Sequence, residues 1–227
     1  MIRIVIVDDH DLVRTGLAGI IEPVHDMEVI GQADNGEEAV RLARTLEPDV
    51  MLMDVEMPGC SGLEATERIL KSQPRIGIVV LTAHAQAPLP ARLLEAGASA
   101  YLGKTCQGPE LLEAIRAVAR GGRYLSPAIA QQMALAVVSG GPQNPFEELT
   151  SRELEVAMML AKGMRTGEIA KAINLSPKTV STHKYKVYEK TSTNSEVALL
   201  KLAMRHGLVS APDAHQLMPR TAPEEDR

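Results

Sequence analysis

The sequence predicts two domains of different class: an α/β domain built on a doubly wound, five-stranded parallel sheet, and an all-α domain of four helices in helix-turn-helix order. Three observations lead to this prediction. Short apolar runs alternate five times with amphipathic stretches over about the first 120 residues, a Gly- and Pro-rich stretch follows near residue 140, and the patterns after it are helical. Five strand–helix repeats in that length require crossover helices, and therefore parallel strands.

The five apolar runs of the first half predict the strands of the sheet. The first, third and fourth are almost continuously apolar, which is typical of parallel strands that helices cover on both faces. We predict strands at Ile2–Val7, Val29–Ala33, Val50–Met53, Ile76–Leu81 and Ala100–Leu102.

An amphipathic stretch follows each strand and predicts a helix. Asn35 with Glu38, and Ser61 with Glu64, have the spacing of a capping box, in which side chains satisfy free backbone N–H groups at the helix start. Pro109 suits the first position of a helix, where no N–H is needed. The predicted helices are Leu12–Ile21, Glu37–Leu46, Leu63–Ser72, Leu89–Ala96 and Pro109–Arg120.

The second half is predicted to be helical on both sides of a linker. A helix at Pro127–Val138 leads into the Gly- and Pro-rich segment 139–145. Beyond it, four helices are predicted: one capped by Thr150 and Glu153 and running to about Lys162, one at Gly167–Ile173, one opened by Ser176 and Pro177, and one capped by Thr193 and Glu196 that ends near His206. We place the domains at 1–123 and 149–211, the linker at 124–148 and a disordered tail at 212–227.

Charge divides along the chain in the same way as the predicted domains. Residues 1–125 contain 12 Lys and Arg against 18 Asp and Glu, whereas residues 150–210 contain 10 against 5. This split fits a cation-binding domain attached to a domain that binds a polyanion. No apolar run reaches the ~18 residues of a membrane span, no signal peptide is apparent, and Cys60 and Cys106 match no metal-binding spacing. We therefore expect a cytoplasmic protein without membrane contact.

Polar residues end four of the predicted strands at one edge of the sheet. Asp8 and Asp9 follow the first strand, Asp54 the third, Thr82 the fourth and Lys104 the fifth. The carboxyl ends of parallel strands form the ligand crevice of such sheets. Three converging carboxylates repel one another unless a cation lies among them, and Mg2+ favours oxygen ligands of this kind. With a hydroxyl and an ammonium, they predict a cradle for a phosphoryl group, in which one carboxylate is the nucleophile.

Four of these features recur in one known family. Asp8-Asp9, Asp54 followed by residues 57–59 (Met-Pro-Gly), Leu81-Thr82 and Lys104 are its motifs. On these residues Met1–Arg120 resembles the receiver domain of bacterial two-component response regulators. The resemblance implies a flavodoxin-like sheet with the strand order 2-1-3-4-5.

The resemblance also implies a role for each residue of the pocket. Asp54 would be the phosphoacceptor, and Mg2+ would bind to Asp8, Asp9, Asp54 and the backbone carbonyl of Glu56. Thr82 and Lys104 would hold the phosphoryl oxygens, and Tyr101 would be the switching aromatic residue. Thr105 stands where the family commonly has a Pro with a cis peptide bond, and Thr removes that preference.

The helix that begins at Pro177 is the strongest candidate for DNA binding. Helix, short helix, tight turn and basic helix is the order of a helix-turn-helix, whose later helix enters the major groove. Val180 and Val187 give it an apolar face. Lysines that can face phosphates are Lys178, Lys184, Lys186 and Lys190. The pattern alone also allows a solvated amphipathic helix that contacts no DNA.

Motifs in this half are similar to the LuxR-type domain of the NarL/FixJ response regulators. They lie at 149–156, 168–170, 175–180 and His183, and further residues, among them Asp9-His10 and 205–208, resemble the GacA/UvrY group of global regulators. The resemblance implies base contacts from Ser181, Thr182 and Tyr185, and phosphate contacts from Lys178, Thr179, Lys184 and Lys186.

The sequence departs from that family just before the last helix. The family usually has apolar residues at the positions of Thr191 and Thr193, and an Arg where Ser195 stands. We therefore expect looser packing at this junction.

Together the resemblances imply a response regulator. A partner histidine kinase would phosphorylate Asp54, and the chain would then form a homodimer, bind promoter DNA and engage RNA polymerase. It is not expected to be an enzyme, apart from Mg2+-dependent phosphoryl transfer to and from its own Asp54. Two alternatives remain: a phosphohydrolase that works through an aspartyl-phosphate, which needs a general acid/base and a substrate pocket, and a DNA-binding protein whose first domain is never phosphorylated.

Glu56 and His84 are expected to set the lifetime of the phosphoryl group. Each lies two residues beyond a site residue, Asp54 or Thr82, so each side chain should overhang the pocket mouth. A water that attacks the phosphoryl group must enter in line through that mouth. The alternative is that both are solvated loop residues.

Overall fold

The structure, a computed structural model, describes residues 1–55, 57, 59–82, 93–138, 144–206 and 208–209. It confirms the predicted class: an α/β domain on a parallel sheet, followed by an all-α domain. Half of the helix predicted at Leu89–Ala96, residues 89–92, lies outside the described residues, whereas residues 93–95 are helical. The tail predicted at 212–227 also lies outside the described residues.

Parallel strands form a sheet in the order β2-β1-β3-β4-β5-β6, so the predicted order of the first five is confirmed. The sixth strand lies in the stretch that the sequence assigned to the linker. It forms because the Tyr124 N–H donates to the carbonyl of Ser99 at 2.9 Å, a long-range bond that two residues cannot reveal by pattern. The strands are β1 (Ile2–Val7), β2 (Met27–Ala33), β3 (Val50–Asp54), β4 (Gly77–Thr82), β5 (Ala100–Gly103) and β6 (Tyr124–Leu125).

Helices cover both faces of the sheet. The predicted caps are present, since the Asn35 side chain accepts the Glu38 N–H at 2.9 Å and Ser61 accepts the Glu64 N–H at 3.3 Å. These helices are α1 (Asp11–Ile21), α2 (Gly36–Leu46), α3 (Gly62–Ser72) and α4 (Gly108–Ala119).

Alternate residues of each inner strand enter separate cores, which explains the continuous apolar runs. Val5 and Val7 of β1 pack with α2 and α3, whereas Ile4 and Ile6 pack with α1 and α4. All four are fully buried or nearly so. A strand with two buried faces has no solvent side on which a polar residue is tolerated, so polar groups are displaced to its ends.

The helical domain follows the predicted order closely. Thr150 and Glu153 form a complete capping box, Ser176 accepts the Thr179 N–H at 3.1 Å, and Asn174 adopts the left-handed conformation (φ 52°) in the turn between two helices. The elements are α5 (Pro127–Val138), a 3-10 turn (Pro145–Glu148), α6 (Ser151–Ala161), α7 (Thr166–Ala172), α8 (Pro177–Lys190) and α9 (Glu196–Arg205).

The junction between α8 and α9 differs from the prediction in its helix cap. Ser195, not Thr193, caps α9, because it is the Ser195 side chain that accepts the Ala198 N–H. Thr191 is 4% exposed and donates to the carbonyl of Val187 at 2.7 Å, and its oxygen lies 2.8 Å from the hydroxyl of Thr193. The Thr193 hydroxyl can thus donate to that of Thr191, and the expectation of looser packing at this junction stays a prediction.

Gly62 lets α3 begin directly against the end of β3. Its N–H donates to the carbonyl of Val55 at 3.1 Å. A Cβ atom on Gly62 would lie only 1.9 Å from the carbonyl oxygen of Asp54, which is backbone and cannot rotate away. Only glycine therefore allows the close approach of α3 to the end of β3.

We expect Gly62→Ala to lower the free energy of unfolding by about 1–3 kcal/mol, the usual cost of overpacking. Gly16 in α1 is the matched control, because a Cβ there meets nothing within 4 Å. Gly16→Ala should raise the free energy of unfolding by about 0.5–1 kcal/mol, since it only restricts the unfolded chain. Urea unfolding followed by circular dichroism measures both, and equal stability of Gly62→Ala and the parent would contradict the close approach.

Candidate functional site

The predicted acidic pocket forms at the carboxyl ends of β1 and β3. One side-chain ligand atom from each of Asp8, Asp9, His10 and Asp54 lies within 4.8 Å of the others. They meet because β1 pairs with β3 in parallel, with Val7 opposite Met53. Asp8 and Asp54 are only 1% and 2% exposed, so their charges need partners inside the protein.

Lys104 supplies one such partner. Its ammonium lies 2.7 Å from Asp8 Oδ2 and 2.8 Å from Asp54 Oδ2. The Lys104 backbone N–H donates to the carbonyl of Thr82 at 2.7 Å, which holds the β5 loop beside the end of β4. Burial alone would lower the pKa of the Lys104 ammonium, but hydrogen bonds and charges from Asp54 and Asp8 outweigh it and raise that pKa.

The charges and donor atoms of the pocket suit a hard divalent cation. Lys104 balances one of the three negative charges that Asp8, Asp9 and Asp54 carry when ionised. Carboxylate oxygens at this spacing are the ligands that Mg2+ takes, with water or phosphate oxygens completing its shell. The donor set therefore fits the cation that the sequence predicted.

His10 belongs to this cluster although the sequence analysis did not place it among the site residues. Its Nδ1 lies 2.8 Å from Asp9 Oδ1 and 3.2 Å from Asp8 Oδ1. Its position directly after the Asp-Asp pair is the signal that could have identified it. The imidazole extends the acidic cluster toward solvent, since its side chain is 66% exposed.

Of the other residues predicted for this pocket, the structure describes two and leaves two outside its described residues. Thr82 is 1% exposed at the end of β4, and Tyr101 is fully buried within the core that α2 and α3 cover. Glu56 and His84 lie outside the described residues, so their effect on phosphoryl lifetime stays a prediction.

The exposed residues of α8 include four of those predicted to contact DNA. Val180 and Val187 are buried on the opposite side, as predicted, and Tyr185 is 79% exposed. The spacing of the exposed residues follows the helical repeat, so they share one face. The four predicted residues are Lys178, Thr182, Tyr185 and Lys186, and Pro177 and Glu189 of the same helix are exposed as well.

Two of the four lysines of α8 are paired within the helical domain. The Lys184 ammonium lies 2.6 Å from Glu196 Oε1, a hydrogen bond that raises its pKa, and it also sits over the ring of Tyr188. Lys190 lies 2.6 Å from Glu153 Oε2. A phosphate contact from Lys184 would require its ion pair to open first.

The hydroxyl groups that were predicted to contact DNA also form hydrogen bonds within the helix or with its cap. Ser181 donates to the carbonyl of Pro177 at 2.9 Å and Thr182 to that of Lys178 at 3.1 Å. The hydroxyl of Thr179 lies 2.8 Å from that of Ser176, the helix cap. To donate a hydrogen bond to a base, Ser181 or Thr182 would have to rotate its side chain. Without rotation, the hydroxyl oxygen of either residue can still accept a hydrogen bond from a base.

The helical domain covers the acidic pocket, which the sequence did not predict. A cavity of about 430 Å3 lies between the domains. Its α/β wall includes Asp9, Asp54 and Lys104, and its helical wall includes residues 158–159 (Met-Met) and Met164. The pocket thus opens onto an apolar, methionine-rich surface of the other domain.

Arg152, near the start of α6, holds the two domains together. It donates to Glu64 Oε2 at 3.1 Å and to the carbonyl of Gly59 at 3.4 Å, both in the α/β domain. Within its own domain it donates at 2.6 Å to both Glu155 and the carbonyl of Ile173. Both α/β partners lie in the segment just after Asp54.

Glu155 is a buried acid beside this arginine. Burial raises its pKa to about 7, further raised by Glu64 and opposed by Arg152. One of its oxygens, Oε1, has no hydrogen-bond partner among the described residues. The folded protein therefore binds the Glu155 proton more tightly than the unfolded chain does.

This tight proton binding makes stability depend on pH. Between about pH 4.5 and 7 the folded state holds the Glu155 proton that the unfolded state has lost, so stability falls as pH rises. Glu155→Gln should remove that part of the fall, on the order of 3 kcal/mol at most. Urea unfolding at pH 5 and pH 8 measures it, with Glu147→Gln as an exposed control. A pH dependence equal to that of the parent would contradict the assignment.

Two family models match the chain, one in each of its two domains. Residues 4–116 match the response regulator receiver domain, and residues 147–203 match the bacterial regulatory proteins of the luxR family. Among the described residues, no helix has the length and apolar character that crossing a membrane requires.

Similar proteins extend over nearly the whole chain. It is 49% identical over 214 residues to the response regulator GacA of Pseudomonas aeruginosa, which covers 93% of this chain and 99% of that protein. It is 44% identical over 212 residues to the response regulator UvrY of Escherichia coli, which covers 93% and 97%.

Two solved structures resemble the chain over part or most of its length. A LuxR-family two-component response regulator from Aurantimonas is 38% identical, with a TM-score of 0.59, and covers 61% of this chain and 99% of that one. RcsB from Salmonella enterica serovar Typhimurium, bound to promoter P1flhDC in the presence of the phosphomimetic BeF3-, has a TM-score of 0.68 at 24% identity and covers 88% and 97%. The second likeness concerns the fold alone.

Proposed function

Because this chain belongs to the two-component response regulators, with a receiver domain and a LuxR-type DNA-binding domain, we propose that its switch is the phosphorylation of Asp54. The chain is a transcription regulator that binds DNA. One observation carries the proposal for Asp54: this carboxylate is buried at the end of β3, within 2.8 Å of the Lys104 ammonium and inside the acidic cluster.

In the proposed reaction Asp54 is the nucleophile. One of its carboxylate oxygens forms a bond to phosphorus, and the bond from phosphorus to a histidine nitrogen of the kinase breaks, so the imidazole leaves with that electron pair. Lys104 stabilises the negative charge of the transferred oxygens, and Thr82 donates its hydroxyl to one of them. The close packing of Gly62 against Asp54 keeps the nucleophile fixed.

Asp8, Asp9 and Asp54 would hold Mg2+, with the Glu56 carbonyl as a further predicted ligand. When bound, the cation neutralises charge on the transferring phosphoryl group. Asp8 and Asp9 contribute by keeping their carboxylates aimed at the sheet edge, where His10 Nδ1 lies beside both. Arg14 fixes this turn, because its guanidinium donates to the carbonyl of Asp8 at 2.7 Å.

DNA binding is proposed to use the exposed face of α8. Lys178 and Lys186 would contact phosphates, and Thr182 and Tyr185 would contact base edges, with Thr179, Ser181 and Lys184 at the margin of this face. Hydroxyl groups make less exclusive base contacts than Arg or Asn, so sequence preference would also depend on DNA shape. A sensor histidine kinase as donor, a homodimer on phosphorylation and RNA polymerase as a partner complete the proposal.

Asp54→Asn should abolish phosphorylation without unfolding the receiver domain, because the amide keeps the shape of the side chain but is not a nucleophile. Incorporation of label from acetyl phosphate with Mg2+ measures this, and circular dichroism checks the fold. Asp34→Asn is the matched control, since Asp34 is exposed and lies outside the acidic cluster. Label on Asp54→Asn at the level of the parent would contradict the proposal.

Lys186→Ala should weaken binding to all duplexes alike and reduce the salt dependence by about one released counterion, a slope change near 0.9. Tyr185→Ala should instead change the preference between target and non-target duplexes. Lys171→Ala, an exposed lysine on α7, is the control. Titrations at several salt concentrations separate these effects, and a changed preference with an unchanged slope in Lys186→Ala would reverse the two assignments.

A further inference from the structure

The ion pair between Lys184 and Glu196 joins helix α8 to the start of the next helix, α9. The Lys184 ammonium lies 2.6 Å from Glu196 Oε1, although the two residues are 12 positions apart in the sequence. Glu196 is the first residue of α9, and its backbone is fixed there because the Ser195 side chain accepts the Ala198 N–H at 3.2 Å. The carboxylate is thus held beside one flank of α8.

Lys184 lies next to the residues of α8 that are proposed to contact DNA. It directly precedes Tyr185, whose side chain is 79% exposed, and it lies two residues before the exposed Lys186. A lysine ammonium ends a flexible four-carbon chain and can therefore reach partners on either side of its helix flank. A phosphate that approached while Glu196 held this ammonium would meet the negative charge of the carboxylate.

The Lys184 ammonium is kept in the charged form that DNA binding requires. The hydrogen bond to Glu196 raises its pKa, burial opposes this effect, and Tyr188, whose ring centroid lies 5.5 Å away, adds to the increase. Carboxylates and phosphates both accept charge-assisted hydrogen bonds from an ammonium. Glu196 therefore occupies the group that a DNA phosphate would use.

Exposure distinguishes this pair from the other internal ion pair of α8. Glu153, the partner of Lys190, is 3% exposed and also completes the capping box of α6, so opening that pair would leave a buried charge without its partner. Glu196 is 50% exposed, so water can solvate its carboxylate when the pair opens. Exposed pairs of this kind shift an equilibrium by no more than about fivefold. The Lys184 pair can therefore open for a phosphate, whereas the Lys190 pair is structural.

We propose that Glu196 limits the affinity for DNA, because its carboxylate competes with the DNA backbone for the ammonium of Lys184. This inference rests on the proposed binding of DNA through α8. A phosphate contact carries no sequence information, so Glu196 lowers the affinity for all duplexes alike. Because a genome offers a great excess of non-target sites, the result is that less of the protein is held on non-target DNA.

The test measures the affinity of the full chain for DNA and the salt dependence of that affinity. Fluorescence anisotropy follows its binding to two labelled duplexes, one of mixed sequence and one selected by the parent chain from a random pool. Glu196→Gln should raise the affinity for both duplexes about twofold to fivefold per bound chain. The slope of log K against log salt concentration should become steeper by about 0.9, the release of one further counterion. The ratio of the two affinities should stay that of the parent.

Two comparisons separate competition for Lys184 from other effects of the substitution. Glu148→Gln removes another exposed carboxylate of the same domain and should leave affinity and slope close to those of the parent. In a Lys184→Ala background, Glu196→Gln should have little effect, since the group for which it competes is gone. Damage to the fold, which urea unfolding checks, would lower the affinity, whereas the proposal requires an increase.

The possible results decide between the alternatives. A higher affinity with a steeper salt slope that depends on Lys184 supports the proposal. Equal increases with and without Lys184 would overturn it, because Glu196 would then act by repulsion alone, and an unchanged or lower affinity of Glu196→Gln would overturn it as well. If Lys186→Ala and Tyr185→Ala leave both affinity and sequence preference unchanged, α8 is not the DNA-binding helix, and the proposed function itself fails.

Discussion

Asp8 and Asp54 share the ammonium of Lys104, and most of the architecture at this edge of the sheet follows from holding these charges together. Two apolar cores fix the strands that carry the carboxylates, so the carboxylates cannot move apart. The glycine that starts α3 and the hydrogen bond from the Lys104 N–H to Thr82 then set the remaining distances. Because the fold keeps three carboxylates beside a single ammonium, the site favours the binding of a cation.

The sequence predicts well those helices and strands whose formation depends on interactions between residues close together in the chain. Periodicity located the strands and helices, and caps such as Asn35 and Ser176 placed helix starts, because each depends on neighbours within four residues. The acidic pocket was also predictable, since parallel strands bring their carboxyl ends to one edge. Strand β6, the docking of the domains and the pairing of Lys184 with Glu196 were not, because they depend on contacts between residues that no periodic pattern relates.

The net charge of the helical domain overestimates the number of basic side chains that are available to contact DNA. Lys184 and Lys190 have carboxylate partners within the domain, and Arg152 is directed toward the receiver domain. The basic character of this half of the chain therefore serves three purposes: internal ion pairs, docking and DNA binding. Under the proposed assignment of α8, recognition would consequently depend more on the few exposed residues of this helix than the net charge suggests.

The covalent connection between the domains affects how strongly the bonds of Arg152 to the receiver domain hold the two domains together. The connection leaves the receiver domain from β6, which pairs with β5, and Tyr101 of β5 lies opposite Leu125. Tethering makes docking intramolecular, so the helical domain meets the receiver at an effective concentration on the order of millimolar. Each bond between the domains, such as that of Arg152 to Glu64, therefore needs to contribute less free energy to docking than it would between separate chains.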